Sequence, residues 1–356
     1  MITRLLTAGL AAAVLLYIGA GAARGGPPPP RSSPATASAG GHLVGRIEAE
    51  LDDGARTVMV SAWYPTTVRG KAAYIPATGP IATARIAEQS AQWMHTPDAA
   101  TAMAVATIPA VEGAPVDASL GRLAVVVMSP GLGTPRANLS SLAADLAAHG
   151  YIAVVLDHTG EGPAVQLASG RIVYGADVLP DDVGYMRARL EDRIADTRLV
   201  LDRLSTLPIV GVVADLERIA MVGHSYGGLT AVQLAATDPR IRTAVVLDGS
   251  AGWDGVAEAP ALDRPVLLVG ASGTPLHLSW DGFRDPQFQH VTLAGAGHYS
   301  VTDLCGFGGG AALCGTVSPG RATEITRGVV GAWLERQLRG TDGPRFEVPE
   351  LKWQMA

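Results

Sequence analysis

Lysine is nearly missing from this 356-residue chain. Only Lys71 and Lys352 carry it, so 25 of the 27 basic residues are Arg. No block of Lys or Arg occurs anywhere, and the formal net charge is −6. A nucleic-acid-binding role therefore has no support. The skew toward Arg, with abundant Ala and Gly, reads as genome composition rather than function. Internal repeats are absent too. Cysteine occurs only as Cys305 and Cys314, with no His or second Cys pair at the spacing that holds zinc, so a metal site has little basis. What is plentiful is apolar surface: 48% hydrophobic and 17% charged residues suit a globular protein with a sizeable core.

The N-terminus lacks charge in another way. After Arg4, residues 5–20 are apolar and uncharged, and Ala20-Gly21-Ala22 is a small-x-small cleavage pattern. This predicts an export signal over residues 1–23. The alternative is an uncleaved membrane anchor, because residues 5–23 are long enough to span a bilayer. Residues 24–41, rich in Pro, Gly and Ser, cannot build a core and read as a linker. An exported chain meets oxidising conditions, so Cys305 and Cys314 are expected to form a disulfide, with Gly306 and Gly308 to Gly310 letting the loop close.

From residue 42 to 345 the pattern alternates. Apolar strand-like runs at 58–64, 123–128, 151–156, 218–222, 243–247, 265–269 and 290–293 are separated by helical stretches at 139–149, 182–207, 229–236 and 322–339. Apolar strands alternating with helices predict an α/β fold: a mainly parallel sheet with helices on both faces. Residues 81–119 break the rhythm and are expected to be a helical insertion that flanks or covers a site, or else a plain surface excursion. Residues 346–356 are expected to be a tail.

Between the strand at 218–222 and the next helix lies Gly223-His224-Ser225-Tyr226-Gly227. A G-x-S-x-G run in that setting reads as a nucleophile elbow, a tight turn that lifts the Ser225 hydroxyl into a site. The glycines are needed because side chains there would meet the flanking strand and helix. A serine hydroxyl attacks only when a base takes its proton, and that base is usually a histidine oriented by a carboxylate. His298, in the small-residue loop Gly295-Ala296-Gly297-His298, follows the last of the strands listed above and is the candidate base. His277 and His290 are also downstream but less well placed. Asp248, ending the strand at 243–247, is the better-placed acid, and Asp281 is its competitor. The oxyanion of a tetrahedral intermediate would take the backbone N–H groups of Tyr226 and Leu132, the latter in the glycine-rich turn Pro130-Gly131-Leu132-Gly133. His224 reads as a supporting group, not a second base.

With these residues in view, the chain resembles an α/β-hydrolase of the platelet-activating-factor acetylhydrolase-like group. Polyester hydrolases and dienelactone hydrolases are more distant relatives. The matching pieces run from Val125 to Gly133, Asp145 to Tyr151, Asp196 to Leu204, Gly223 to Gly228 and Val246 to Gly249. The resemblance implies Ser225, Asp248 and His298 as a triad, and the Leu132 and Tyr226 amides as oxyanion donors. It departs at Pro130, where the group often has His, and the Cys305 to Cys314 loop is not carried over from it. The expectation is an exported serine esterase or lipase-like hydrolase that needs no metal or organic cofactor. The resemblance implies small-molecule or lipid esters of short acyl chains as substrates, including acetylated phospholipids met at a membrane or lipid surface. Rival readings are an acyltransferase, a polyesterase, a peptidase and a noncatalytic binding protein on the same fold.

Overall fold

The structure is a computed structural model that describes residues 41–281, 283 and 287–354. The expected signal or anchor at 1–23 and linker residues 24–40 lie outside the described residues. The chain opens with an antiparallel hairpin, β1 (Leu43–Asp52) and β2 (Thr57–Thr66), in register from Leu43 opposite Thr66 to Asp52 opposite Thr57. The excursion after it runs through β3 (Ala72–Ala73), α1 (Pro80–Trp93), α2 (Ala100–Val105), β4 (Thr107–Ile108) and β5 (Val111–Glu112). The expected insertion at 81–119 is thus helical only in its first part. Pro109, Gly113 and Pro115 stop a helix from continuing.

The α/β alternation follows. It comprises β6 (Leu123–Ser129), α3 (Ser140–Ala148), β7 (Ile152–Leu156), a small ladder of β8 (Ala164–Gln166) and β9 (Ile172–Tyr174), and α4 (Val183–Arg203). Then come β10 (Ala214–His224), α5 (Tyr226–Thr237), β11 (Ile241–Leu247), β12 (Val266–Ala271), β13 (Phe288–Leu293), the single-turn α6 (Gly310–Cys314) and α7 (Pro319–Arg339). The segment expected as a tail instead supplies β14 (Leu351–Gln354), antiparallel to β13. At four residues it is too short for its apolar alternation to stand out in the sequence.

One ten-stranded sheet results, in the order β14-β13-β12-β11-β10-β6-β7-β2-β1-β5. From β7 through β13 the neighbours are parallel; β2 joins β7 antiparallel. Side chains alternate along each strand, so one strand feeds two cores. On β6, Ala124, Val126 and Met128 pack toward α3 and α7, whereas Val125 and Val127 pack toward α4 and α5. Both faces are buried, which is why these strands read as unbroken apolar runs. β10, which carries the elbow, lies in the interior of the sheet, so its C-terminal end is held by β6 on one side and β11 on the other.

Candidate active site

Ser225 sits between β10 and α5 with φ 55° and ψ −120°. A non-glycine residue there stores about 1–3 kcal/mol of strain, held in place by the surroundings. Those surroundings are visible: the Ser225 N–H donates to the Leu247 carbonyl at 2.9 Å, and its own carbonyl accepts from the Gly228 N–H at 2.9 Å. The motif glycines are sterically required. A Cβ on Gly223 would overlap the Gly227 carbonyl, and one on Gly227 would overlap the carbonyl of Ser129.

The sequence candidates meet. His298 Nε2 lies 2.9 Å from Ser225 Oγ, and His298 Nδ1 lies 2.6 Å from Asp248 Oδ2. The other carboxylate oxygen, Asp248 Oδ1, accepts the Ala271 N–H at 2.7 Å. Asp248 itself has φ 49°, and its N–H donates to the Val269 carbonyl at 2.8 Å. The acid is therefore gripped by the neighbouring strand as well as by the histidine. Asp281 instead follows the 3-10 turn Leu278–Trp280 and donates its N–H to the Leu278 carbonyl. His277 bonds Ser279, and His290 lies within β13 beside Thr292. Neither histidine is hydrogen-bonded to the serine.

His224, next to the serine, is fully buried. Burial first, and the neighbouring His298 second, push its pKa down to about 3. It is therefore neutral, and its Nε2–H donates to the His298 backbone carbonyl at 2.9 Å. Its ring also packs on those of His298 and Tyr299. It acts as a brace for the loop that carries the histidine.

A second brace is the Cys305–Cys314 disulfide. The loop it closes accepts the Tyr299 N–H at the Leu313 carbonyl (3.0 Å) and the Ser300 hydroxyl at the Cys314 carbonyl (2.6 Å). Ser300 Oγ in turn accepts the Gly297 N–H at 2.9 Å. Residues on both sides of His298 are thus fixed from the disulfide loop.

The turn from Pro130 to Gly133 lies against the elbow. A Cβ on Gly131 would be 2.9 Å from His224 Nδ1 and 3.4 Å from the Ser225 Cβ. Leu132 is half-buried, and its N–H has no partner among the described residues, whereas Gly133 donates to Glu161 (3.0 Å) and Thr134 to the Gly131 carbonyl (3.1 Å). Tyr226 begins α5, so its N–H is one of the unpaired donors at a helix start. Trp93 from α1 and Val178 flank the turn: a Cβ on Gly133 would lie 2.6 Å from Trp93 Nε1 and 3.0 Å from Val178 Cγ2. Part of the 81–119 segment thereby walls the site. Sequence reasoning missed Trp93 in this place, and it missed Arg193 and Glu161, which hold the turn from beneath. A tryptophan in an Ala-rich helix and a charged pair 32 residues apart carry no local signal.

In chemical terms the site offers a hydroxyl, a base within hydrogen-bonding reach, a carboxylate that fixes the base's tautomer and two backbone donors. Among the described residues no group of three or more His, Cys, Asp or Glu side chains is arranged to hold a metal ion.

Comparison with known proteins fits this geometry. A family model for platelet-activating factor acetylhydrolase, isoform II, matches residues 31–168, and one for serine aminopeptidase S33 matches residues 122–272. A probable 1-alkyl-2-acetylglycerophosphocholine esterase of Arthroderma benhamiae is 30% identical over 133 residues, 37% of this chain and 33% of that one. The platelet-activating factor acetylhydrolase of Bos taurus is 26% identical over 213 residues, 51% of this chain and 48% of that one. The chain thus spans a third to a half of the length of these relatives. A solved ferulic acid esterase from Streptomyces cinnamoneus matches more widely: 30% identity, TM-score 0.72, covering 92% of this chain and 100% of that one. A dienelactone hydrolase-like promiscuous phosphotriesterase from metagenomic libraries, 15% identical with TM-score 0.50 over 83% of this chain and 99% of its own, shares the fold.

Proposed function

The chain belongs to the α/β-hydrolases, in the platelet-activating-factor acetylhydrolase-like group of esterases, and on that premise we propose that it is an exported serine esterase working through Ser225, His298 and Asp248. The observation that carries this reading is the hydrogen-bonded chain from Ser225 Oγ through His298 to Asp248, set at the C-terminal strand edges. Ser225 Oγ attacks the ester carbonyl while His298 Nε2 takes its proton. The negative oxygen of the tetrahedral intermediate is met by the Leu132 and Tyr226 N–H groups. The intermediate collapses, His298 gives the proton to the departing alcohol, and an acyl-serine remains. Water, deprotonated by His298, attacks this acyl group and releases the acid and free Ser225. Asp248 keeps the Nδ1 proton in place throughout and stabilises the imidazolium.

Short acyl esters, acetylated phospholipids among them, are the leading substrate class, on the names of the fungal and bovine relatives. A second reading is an ester of ferulate type, favoured by the match to the ferulic acid esterase over its whole length. Export is supported by the N-terminal pattern and by the disulfide. An acyltransferase would use the same residues but pass the acyl group to another alcohol.

The test is a panel of p-nitrophenyl acetate, butyrate, octanoate and palmitate, an acetylated phospholipid and methyl ferulate, with product analysis, beside Ser225→Ala. Hydrolysis that drops by about four to six orders of magnitude in the variant supports the serine mechanism. The substrate profile separates the two ester classes. Absence of ester cleavage by the folded wild-type protein would overturn the proposal, and transfer products in place of free acid would move it to the acyltransferase.

A further inference from the structure

We infer that Arg193, together with Glu161, is a positioning pair that aims the Leu132 N–H at the oxyanion, an inference that rests on the esterase reading above. Arg193 projects from α4 and is wholly buried. Each of its five N–H bonds has a partner. Nε donates to Glu161 Oε2 at 2.8 Å, Nη1 to the Pro130 carbonyl at 2.9 Å and Ser129 Oγ at 3.3 Å, and Nη2 to the Gly131 carbonyl at 2.9 Å and to Glu161 Oε1. Glu161 Oε1 also accepts the Gly133 N–H at 3.0 Å. One ion pair therefore takes the two carbonyls before Leu132 and the amide after it.

Peptide planarity turns this grip into an orientation. In a trans peptide the carbonyl of one residue and the N–H of the next point in opposite directions. The Gly131 carbonyl is drawn toward Arg193 and accepts the Thr134 N–H and hydroxyl as well, at 3.1 and 2.9 Å. The Leu132 N–H, in the same peptide plane, must point away from the guanidinium. Gly131 borders the Ser225 Cβ, so this direction is consistent with an amide turned toward the nucleophile's side. The Arg193 guanidinium also lies 5.3 Å from the centre of the Tyr226 ring, so the same cation rests against the residue that bears the second donor. Ser129 is secured from behind through His158 Nε2 (2.9 Å), whose Nδ1 meets Asp196 Oδ2 (2.9 Å). That Ser129-His158-Asp196 chain repeats the connectivity of a triad but is buried throughout and serves as scaffold.

A buried ion pair with only a packing role is often replaceable by apolar residues without loss. A positioning pair is not, because a changed loop loses a donor that acts mainly in the transition state. The experiment compares wild type, Ser225→Ala, Arg193→Lys, Glu161→Gln and the double variant Arg193→Met/Glu161→Gln, which removes both charges of the pair. Each is assayed for kcat and KM on the best p-nitrophenyl ester, and for Ki of a trifluoromethyl ketone of matching chain length, which forms an oxyanion adduct with the serine. Arg193→Lys keeps the charge but cannot span both carbonyls. Its kcat is expected to fall about 100-fold with KM changed less than about twofold, and Ki to rise in step with the loss of kcat/KM. If Arg193→Lys does not fold, the double variant gives the same readout. A folded variant with kcat near wild type, or with lowered kcat and unchanged Ki, overturns the inference while leaving the esterase reading intact. A wild-type protein without Ser225-dependent ester cleavage overturns both.

Discussion

At Asp248 the two carboxylate oxygens serve different partners, and this gives a sharp substitution. Asp248→Asn can keep its carbonyl oxygen on the Ala271 N–H, but its NH2 then faces His298 Nδ1. Nδ1 would have to accept, the ring proton would move to Nε2, and Ser225 would lose its base. The expected result is a kcat lower by about 10⁴-fold with little change in thermal stability. A variant with near-wild-type kcat would show that Asp248 does not set the tautomer. How much of this was legible follows from distance along the chain. The elbow could be read because strand, Gly223 to Gly227 and helix are contiguous. Asp248 could be preferred over Asp281 because it ends a strand directly, but the sequence left Asp281 open, since only the loop paths decide which carboxylate reaches His298. Arg193 and Glu161 were invisible, because a charged residue on a periodic helix or in a turn reads as surface until the fold buries it.

Between residue and fold, the element that governs the base is the disulfide loop. It holds Tyr299 and Ser300 on one side of His298, so opening it should loosen the imidazole more than it disturbs substrate binding. The double variant Cys305→Ser/Cys314→Ser is expected to lose about 2–3 kcal/mol of stability on chain-entropy grounds. Its kcat should fall several-fold more than KM rises, measured well below its melting temperature. Unchanged kcat would limit the disulfide to stability. Just ahead of that loop lies Asp303, whose carboxylate accepts the Ser141 N–H at 2.9 Å and the Ser141 hydroxyl, at the start of α3. Burial pushes its pKa up to about 6, against the pull of these hydrogen bonds and of Arg327. Between about pH 4 and pH 6 the folded state therefore holds a proton that the unfolded state has released, so this group's contribution to stability declines as pH rises through that window. Denaturant melts at pH 4, 5, 6 and 7 should show wild type losing about 2–3 kcal/mol relative to Asp303→Asn across that range and nothing further above it. His224 acts in the opposite sense. Its depressed pKa costs stability as pH falls from about 6.5 toward 3, which is why the Asn comparison, and not the wild-type curve alone, isolates Asp303.

For the whole molecule, the alternating apolar runs made the two-faced sheet readable, and they failed at its edges. Central strands bury both faces and announce themselves, but an edge strand is defined by its partner. β14 is the case in point: it pairs His290 with Gln354 through Leu293 with Leu351, and the Glu350 carbonyl accepts the Ala294 N–H at 2.8 Å. Leu351 is buried, Phe346 packs over Gly328, and Arg321 holds Glu350 through two bonds of 2.9 and 3.0 Å. Removing residues 346–356 would uncover β13, an apolar strand that leads directly to the His298 turn. The ion pair, being solvent-exposed, contributes little. Loss of the buried Leu351 and the Phe346 contact brings the expected destabilisation to about 3 kcal/mol. That corresponds to a melting temperature lower by roughly 4–5 °C. The exposed β13 edge should also raise the tendency to aggregate, detectable by light scattering, and esterase activity should fall because the strand that leads into the His298 turn is no longer pinned. If the truncated chain melts within about 1 °C of the full one and keeps its activity, the sheet is complete without β14, and residues 346–356 are, energetically, the tail that their sequence suggests.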